Sequence, residues 1–234
     1  MNPSPNLDRW LTFINCQVQP ANGLPEAYES AGARRAITLS RQTGCGAFAV
    51  AEQLREQLQA HTPAGSPPWT VFDQNLIAQI LADHHLPPRL AKFMPEDRVS
   101  WISDTMEELF GLHPAAEVLV RRTAATILHL AQLGNVILIG RGGNVITAGL
   151  PHVLHVRLIG SVERRVKRLC EEFKQTPASA LAFLRKDDEA RRRYVKTYYH
   201  VEIDDPLKYH LTVCTDSCTP AEVSRLIAHA LLAH

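Results

Sequence analysis

The chain lacks the segments and the charge by which several classes of protein are recognised. Among its 234 residues no apolar run approaches the roughly 20 residues that a membrane-spanning helix needs. The N-terminus, Met-Asn-Pro-Ser-Pro, has neither the basic nor the apolar region of a signal peptide. A formal net charge of +1 gives no general attraction to nucleic acid or anionic membranes, so any anion binding must be local. We therefore expect a cytoplasmic protein that binds neither membranes nor nucleic acid.

Cysteine is scarce, and its spacing does not indicate a metal site. The five cysteines are odd in number and scattered, as is typical of reduced thiols in a cytoplasm: Cys16, Cys45, Cys170, Cys214 and Cys218. Three residues separate Cys214 from Cys218, but no second Cys or His pair at zinc spacing accompanies them. His84, His85 and the other histidines show no ligand spacing with carboxylates. The sequence therefore predicts no metal ligands, and it gives no oligomeric state.

Strand and helix patterns alternate along one domain, which we expect over residues 35–234, after an N-terminal helix and linker over 1–34. Strands are predicted over 36–40, 69–72, 136–139, 153–158 and 211–214. Helices are predicted over 47–60, 74–82, 99–110, 115–133, 162–173, 178–198 and 221–233. The continuously apolar strand at 136–139 is typical of a strand buried on both faces. The pattern predicts an α/β fold, a three-layer αβα sandwich around a parallel five-stranded sheet.

A glycine-containing turn follows the first predicted strand and precedes a helix. In this layout, backbone N–H groups around Gly44 and Gly46 and the helix N-terminus converge on an anion, as in a phosphate-binding loop. The Lys and Ser or Thr that usually end such a loop are replaced by Ala47 and Phe48. The alternative is a tight turn without a ligand. Phe48 either points into the core or partly fills the phosphate pocket.

Polar or glycine residues end three predicted strands, at Arg41, Asp73 and the turn that contains Arg141 and Gly142. The carboxyl ends of parallel strands share one crevice, so we expect these residues to face it together with Gly44 and Gly46. Arg141 either binds phosphate or stacks on a base, or is a surface arginine after a flexible turn. Asp73 either contacts a substrate hydroxyl or a metal through water, or caps the helix that starts at residue 74.

Two basic clusters follow. In the first, Arg185, Asp188, Arg191 and Arg192 share one helix face, which is typical of a lid that neutralises a transferring phosphoryl group. The alternative is a solvated face on which Asp188 pairs with Arg191 or Arg192. The second cluster, over 164–168, alternates with apolar residues and is interpreted as the outer face of a packed helix.

Four ordered segments carry a family resemblance: residues 36–48, 72–77 (Phe-Asp-Gln-Asn-Leu-Ile), 140–142 (Gly-Arg-Gly) and 205–211 (Asp-Pro-Leu-Lys-Tyr-His-Leu). They resemble the cytidylate kinase-like family, a branch of the P-loop nucleoside monophosphate kinases, from about residue 35 to the end of the chain. Family members usually carry an Arg at the position of Phe48 and an Asp-Arg-x-Arg lid where this chain reads Asp188-Glu-Ala-Arg191. The carboxylate that helps to position Mg²⁺ is replaced by Gly142 and Gly143.

The resemblance implies transfer of the ATP γ-phosphoryl group to a nucleoside monophosphate, with CMP as the default acceptor. It implies that the donor phosphates lie on the backbone of Thr43, Gly44, Cys45 and Gly46. Phosphate or acceptor contacts are implied for Arg41, Asp73, Arg141 and Gly142, and lid closure for Arg185 and Arg191. Mg²⁺ would arrive with ATP, held mostly by phosphates and water. The missing loop residues motivate an alternative, a pseudokinase that binds nucleotide without catalysis.

Overall fold

The computed structural model describes residues 35–63, 66–73 and 116–234. The predicted N-terminal helix and linker, and the predicted helices over 74–82 and 99–110, lie outside the described residues. The division of the chain at residue 34 therefore stays a prediction. None of the helices in the described ranges is long and apolar enough to cross a bilayer.

The strands and helices agree with the sequence pattern to within one residue at their described ends. The strands are β1 (Ala36–Arg41), β2 (Thr70–Asp73), β3 (Val136–Ile139), β4 (Val153–Ile159) and β5 (Leu211–Cys214). The helices are α1 (Ala47–Ala60), α2 (Ala116–Leu133), α3 (Gly143–Ile146), α4 (Val162–Phe173), α5 (Pro177–Tyr199) and α6 (Pro220–Ala233). A 3₁₀ turn at Pro206–Lys208 precedes β5. The short helix α3 is the one described helix that the sequence pattern did not predict.

All five strands are parallel and follow the order β2-β3-β1-β4-β5. Strand β1 lies in the centre, and the chain leaves it first toward β2 and later toward β4. That reversal makes the carboxyl end of β1 a topological switch point, where open α/β sheets bind their ligands. The register places Asp73 of β2 opposite Ile139 of β3, so the ends of these strands are level.

The two faces of the sheet differ in chemistry. One face packs against α1 and α6 through a fully apolar cluster that includes Leu39, Leu54 and Ile227. Full burial of one such side chain contributes ~1.5–3 kcal/mol. The opposite face, toward α2 and α3, carries buried polar side chains on β1 and β4: Thr38, Ser40, His155 and Arg157. Together the layers form the predicted three-layer αβα sandwich.

Helices α4 and α5 form a hairpin over the carboxyl ends of β1 and β4. Leu169 of α4 packs against Ala180 and Leu184 of α5 in a small apolar cluster of their own. Thr176 caps α5 by accepting the backbone N–H of Ser179, and Pro177 occupies the first turn, where its missing N–H has no cost. This packing fixes which side of α5 faces the glycine loop.

Candidate phosphate-binding site

The loop between β1 and α1 has the backbone geometry of an anion-binding turn. Gly44 and Gly46 have φ of +81° and +69°, in the left-handed region that favours glycine. A Cβ on Gly44 would lie 2.9 Å from the carbonyl oxygen of Arg165, so α4 approaches too closely for any side chain there. Gly46 is the N-cap of α1 and supplies no side-chain cap, which leaves the helix N-terminus for an external acceptor.

Ala47 and Phe48, which replace the Lys and the Ser or Thr of a usual phosphate-binding loop, lie in the first turn of α1. Ala47 packs against the apolar cluster, whereas Phe48 is 52% exposed. The interpretation that Phe48 points into the core is therefore wrong. An aromatic ring in solvent supplies neither the cation nor the hydroxyl that this turn usually offers to phosphates and Mg²⁺.

Carboxylates of α5 contact the loop directly at Thr43. The backbone N–H of Thr43 donates to Asp188 Oδ1 (2.8 Å), and its hydroxyl donates to Asp187 Oδ2 (2.6 Å). Arg165 Nη1 donates to the other oxygen of Asp188 at 2.5 Å. Helix α5 therefore lies where a lid over the loop was predicted, with acidic side chains as its nearest contacts.

The ion pairs of α5 differ from those expected for a solvated face on which Asp188 pairs with Arg191 or Arg192. Asp188 pairs with Arg165 of α4, not with Arg191 or Arg192. Arg191 donates from Nε (3.0 Å) and Nη2 (2.7 Å) to the same oxygen of Asp187. Arg192 faces outward, where it pairs with a neighbouring glutamate and with Asp204. Of the two predicted lid cations, Arg191 therefore lies at the loop, while Arg185 is exposed and keeps its catalytic role only as a prediction.

Arg41 ends β1 with a largely buried guanidinium. Its Nη1 is buried and has no hydrogen-bond partner among the described residues. Burial, then the nearby guanidinium of Arg191 and, more weakly, that of Arg141 lower the pKa of Arg41 to about 10. Asp187 and Asp73 act in the opposite direction on this pKa without restoring it. Three guanidiniums and two carboxylates thus converge at the switch point, which leaves positive charge for an anion.

The Gly140-Arg-Gly-Gly turn is held against α5. The guanidinium carbon of Arg141 lies 4.5 Å from the centroid of the Tyr194 ring, at the distance of a cation–π contact. Burial lowers the pKa of Arg141, and the Arg191 charge adds to this. Gly142 has φ +75°, and a Cβ there would lie 2.4 Å from the ring of Tyr199. The interpretation of Arg141 as a surface arginine on a flexible turn is therefore wrong.

Asp73 ends β2 beside this cluster. Its charge is among those that act on the pKa of Arg41, which places the carboxylate near the guanidinium. Its alternative role as a helix cap concerns residue 74, which lies outside the described residues.

Cys45, in the glycine loop, is buried, and burial raises the pKa of its thiol. A small, unreactive loop residue is the interpretation that fits.

The basic run over 164–168 is not simply an outer helix face. Arg165 is 4% exposed and also donates from Nε to the carbonyl of Gly160 (2.9 Å). Arg168 donates to the hydroxyl of Thr215 (2.7 Å) and to the carbonyl of Gly44 (3.5 Å). Arg165 stands four residues before buried Leu169, so the i, i+4 rule would have placed both on the inner face.

Arg157 is a second buried arginine that the sequence reasoning missed. It lies within β4, donates to Ser40 Oγ (2.9 Å) and Asp204 Oδ1 (2.5 Å), and stands 5.5 Å from the ring centroid of Tyr209. The Tyr209 hydroxyl donates to the carbonyl of Ile203 (2.8 Å). A charged residue in the middle of a mostly apolar strand was the available signal, because a buried charge requires partners.

The described residues form cavities at this edge of the sheet, two of which adjoin the glycine loop or Arg41. The larger, about 370 Å³, adjoins the loop and the N-terminus of α1, with Gly46, Ala49, Arg168, Thr215 and Cys218 among its lining residues. Its volume falls within the range of small-molecule sites. The smaller, about 20 Å³, lies between β1, β4 and α5, and its walls include Arg41, Arg157, Arg191 and Asp204.

The described residues do not fit a Mg²⁺ ion held by protein ligands. The position of the usual loop hydroxyl is Phe48, and the Thr43 hydroxyl already donates to Asp187. Across 35–63, 66–73 and 116–234, no three His, Cys, Asp or Glu side chains are grouped so that they could hold a metal. The positive charge that this part of the chain itself supplies comes from arginine.

A central β1, a glycine loop at its carboxyl end and a helical lid define a P-loop kinase-like αβα protein. The model of the cytidylate kinase-like family matches residues 36–217, and the chain belongs to this family. No curated protein matches the chain.

Solved structures of similar shape include an uncharacterized protein from Eubacterium ventriosum ATCC 27560, with a TM-score of 0.63 and 18% identity over 86% of this chain and 99% of the other. A gluconokinase from Sinorhizobium meliloti 1021 matches with a TM-score of 0.47 and 14% identity, over 86% and 93% of the two chains. A shikimate kinase from Acinetobacter baumannii, in complex with shikimate, matches with a TM-score of 0.45 and 14% identity, over 88% and 97%. The first of these likenesses supports the fold, and none of them assigns a substrate.

Proposed function

We propose that this nucleotide kinase-like protein binds ATP and a nucleoside monophosphate and transfers the γ-phosphoryl group to the acceptor, with CMP as the first acceptor to test. The observation that carries the proposal is the convergence of Arg41, Arg141 and Arg191, with a buried guanidinium nitrogen left unpartnered among the described residues. A buried cation cluster of this kind requires an anion, and a phosphoryl group accepts several guanidinium hydrogen bonds at once.

The donor nucleotide fits the side of the loop that faces α6. Its phosphates would meet the backbone of 43–46 and the open N-terminus of α1. The 370 Å³ cavity begins at Gly46 and continues past Arg168 toward α6, so it has room for the base and ribose. The acceptor phosphate would then lie on the other side, where Asp73 and Arg141 follow β2 and β3.

Transfer would depend on position and charge neutralisation and would need no strong general base. Arg41, Arg141 and Arg191 would surround the transferring group, and Arg185 is the remaining lid candidate. Each cation aimed at charge that develops in the transition state contributes on the order of 10²–10³ in rate. Any Mg²⁺ would be carried by the nucleotide phosphates and water, as the resemblance implies.

A pseudokinase is the second candidate, and two observations favour it. Ala47 and Phe48 supply no loop cation or hydroxyl, and Asp188 occupies the N–H of Thr43. A protein with these properties would bind nucleotide in the same cavity without turnover. In either case we propose a cytoplasmic location, since the four described cysteines are free thiols.

Calorimetric titration with ATP and Mg²⁺, then with each nucleoside monophosphate, tests the proposal, and an ADP-release assay follows on any pair that binds. We expect Arg41→Met to weaken binding of the phosphorylated ligands by roughly tenfold or more, because one charge-assisted hydrogen bond contributes ~1.5–3 kcal/mol. Arg193→Met is the control for the loss of one arginine charge, since Arg193 is an exposed arginine of α5. Binding without ADP release would support the pseudokinase, and absence of binding would contradict both functions.

A further inference from the structure

Asp187 satisfies the same hydrogen-bond donors that a phosphoryl oxygen would satisfy. A single oxygen, Oδ2, accepts from the Thr43 hydroxyl (2.6 Å) and from Nε (3.0 Å) and Nη2 (2.7 Å) of Arg191. The same carboxylate is close enough to Arg41 to act on its pKa. A loop hydroxyl and the guanidinium of Arg191 donate to one anionic oxygen, and the guanidinium of Arg41 is close by, as in a phosphate subsite.

We propose that the Asp187 carboxylate occupies a phosphate subsite made by Thr43, Arg191 and Arg41, and that a phosphoryl group of the bound nucleotide displaces it. Asp187 then acts as an internal competitor that weakens nucleotide binding until α5 or its side chain moves. This inference rests on the proposed function, because it concerns the same crevice.

Burial and pairing distinguish Asp187 from its neighbour Asp188. The side chain of Asp188 is 18% exposed and pairs with Arg165, whose own side chain is 5% exposed. Removal of that carboxylate would leave a buried guanidinium without its anion, which is costly. The side chain of Asp187 is 30% exposed and can regain water when it is displaced. Its partner Arg191 would keep an anion, since the phosphoryl group takes its place.

The balance of charge favours the exchange. Asp187 brings a single negative charge to Arg191 and Arg41, Asp73 is the other carboxylate that acts on the pKa of Arg41, and Arg41 Nη1 still has no hydrogen-bond partner among the described residues. A phosphoryl group brings more negative charge and additional acceptor oxygens to the same donors. The exchange therefore replaces one accepting oxygen by several, at the cost of the contacts that Asp187 loses.

Asp187→Asn tests the inference, with inorganic pyrophosphate as the probe in metal-free calorimetry. The amide keeps the size of the side chain but removes the charge that competes with phosphate. We expect pyrophosphate to bind the variant about tenfold more tightly than it binds the parent protein, as for the loss of a competing charged hydrogen bond.

Glu189→Gln is the matched control, because it removes the same charge from an exposed residue of α5 that pairs with Arg192. We expect its affinity to equal that of the parent. Equal or weaker binding by Asp187→Asn would overturn the inference.

A second measurement uses the unchanged protein in case the variant does not fold. The ¹⁵N–¹H signal of Arg191 Nε, assigned by its disappearance in Arg191→Lys, should shift when pyrophosphate replaces the carboxylate as its acceptor. A signal that stays unchanged at saturating pyrophosphate would also overturn the inference. Pyrophosphate has no nucleoside, so its binding tests the subsite independently of kinase activity. If Asp187→Asn tightens pyrophosphate binding but the protein shows no turnover, only the proposed kinase activity is contradicted. If the protein shows turnover but Asp187→Asn leaves its affinity for pyrophosphate unchanged, only the subsite is contradicted.

Discussion

Arg165→Met is expected to destabilise the protein, because α4 and the loop meet at this guanidinium. Arg165 donates to the carbonyls of Gly160 and Thr43 (2.9 and 3.3 Å) and to Asp188 at 2.5 Å. Removal of one partner from a buried ion pair costs ~3–5 kcal/mol, because the other charge stays buried. Asp188 keeps the N–H of Thr43 and some exposure to water, so we expect the lower end, ~3 kcal/mol. For a domain of this size that corresponds to roughly 6–12 °C in Tm.

Urea unfolding followed by circular dichroism measures this loss as a lower midpoint at an unchanged slope. Lys167→Met is the matched control on the same helix. Its ion pair with Glu171 spans 3.9 Å between two side chains that are each 66% exposed. Such pairs contribute less than ~1 kcal/mol, so the control should unfold close to the parent. Equal midpoints for Arg165→Met and Lys167→Met would refute the conclusion that this guanidinium holds α4, α5 and the loop together.

Two further predictions concern stability. Gly142→Ala should lower the unfolding free energy by at least ~1–2 kcal/mol from its left-handed backbone alone, and the contact of its Cβ with the Tyr199 ring adds to this. Thermal melts measure this loss, and Gly149→Ala, with open space around the new Cβ, should stay near the parent, so that equal losses would contradict the steric argument. For His155, burial and then the nearby His210 lower the pKa from 6.5 to about 4. Between pH 6.5 and pH 4 this histidine binds a proton in the unfolded chain but not in the folded protein. The free energy of unfolding should therefore fall as the pH is lowered from 6.5 toward 4 and stay constant below pH 4. Thermal melts of parent and His155→Gln across that range should converge as pH falls, and a constant difference would contradict the assignment.

The strands, the helices and the ends of the sheet could be predicted because their signals are local. Apolar periodicity placed every described strand, and glycine and polar residues at strand ends placed the crevice. The carboxyl ends of parallel strands share an edge, so Gly44, Arg141 and Asp73 could be placed at one edge of the sheet from sequence order alone. Helix α3 was missed because one turn of helix leaves little periodic pattern to detect.

The pairing of charges could not be predicted, because it depends on how α4 packs against α5. Spacing on α5 alone favours Asp188 with Arg191 or Arg192. In the structure the apolar cluster around Leu169 packs α4 against α5, and Asp188 pairs with Arg165 instead. A buried ion pair between two helices is therefore a tertiary property, and a basic run such as 164–168 can conceal a core residue.

Restoring the missing loop residues asks whether the rest of the site is able to support the reaction. Ala47→Lys with Phe48→Ser supplies a cation and a hydroxyl at the first turn of α1, where Phe48 is exposed and can be replaced without loss of core packing. Since one preorganised cation contributes on the order of 10²–10³ in rate, ADP formation should rise by about that factor. Ala60→Lys, at the exposed last residue of the same helix, controls for added charge. If nucleotides bind the double variant and turnover does not rise, the missing lysine does not limit the reaction. The limiting loss would then lie elsewhere in the site, with Arg41, Arg141 and Asp73 as the next residues to test.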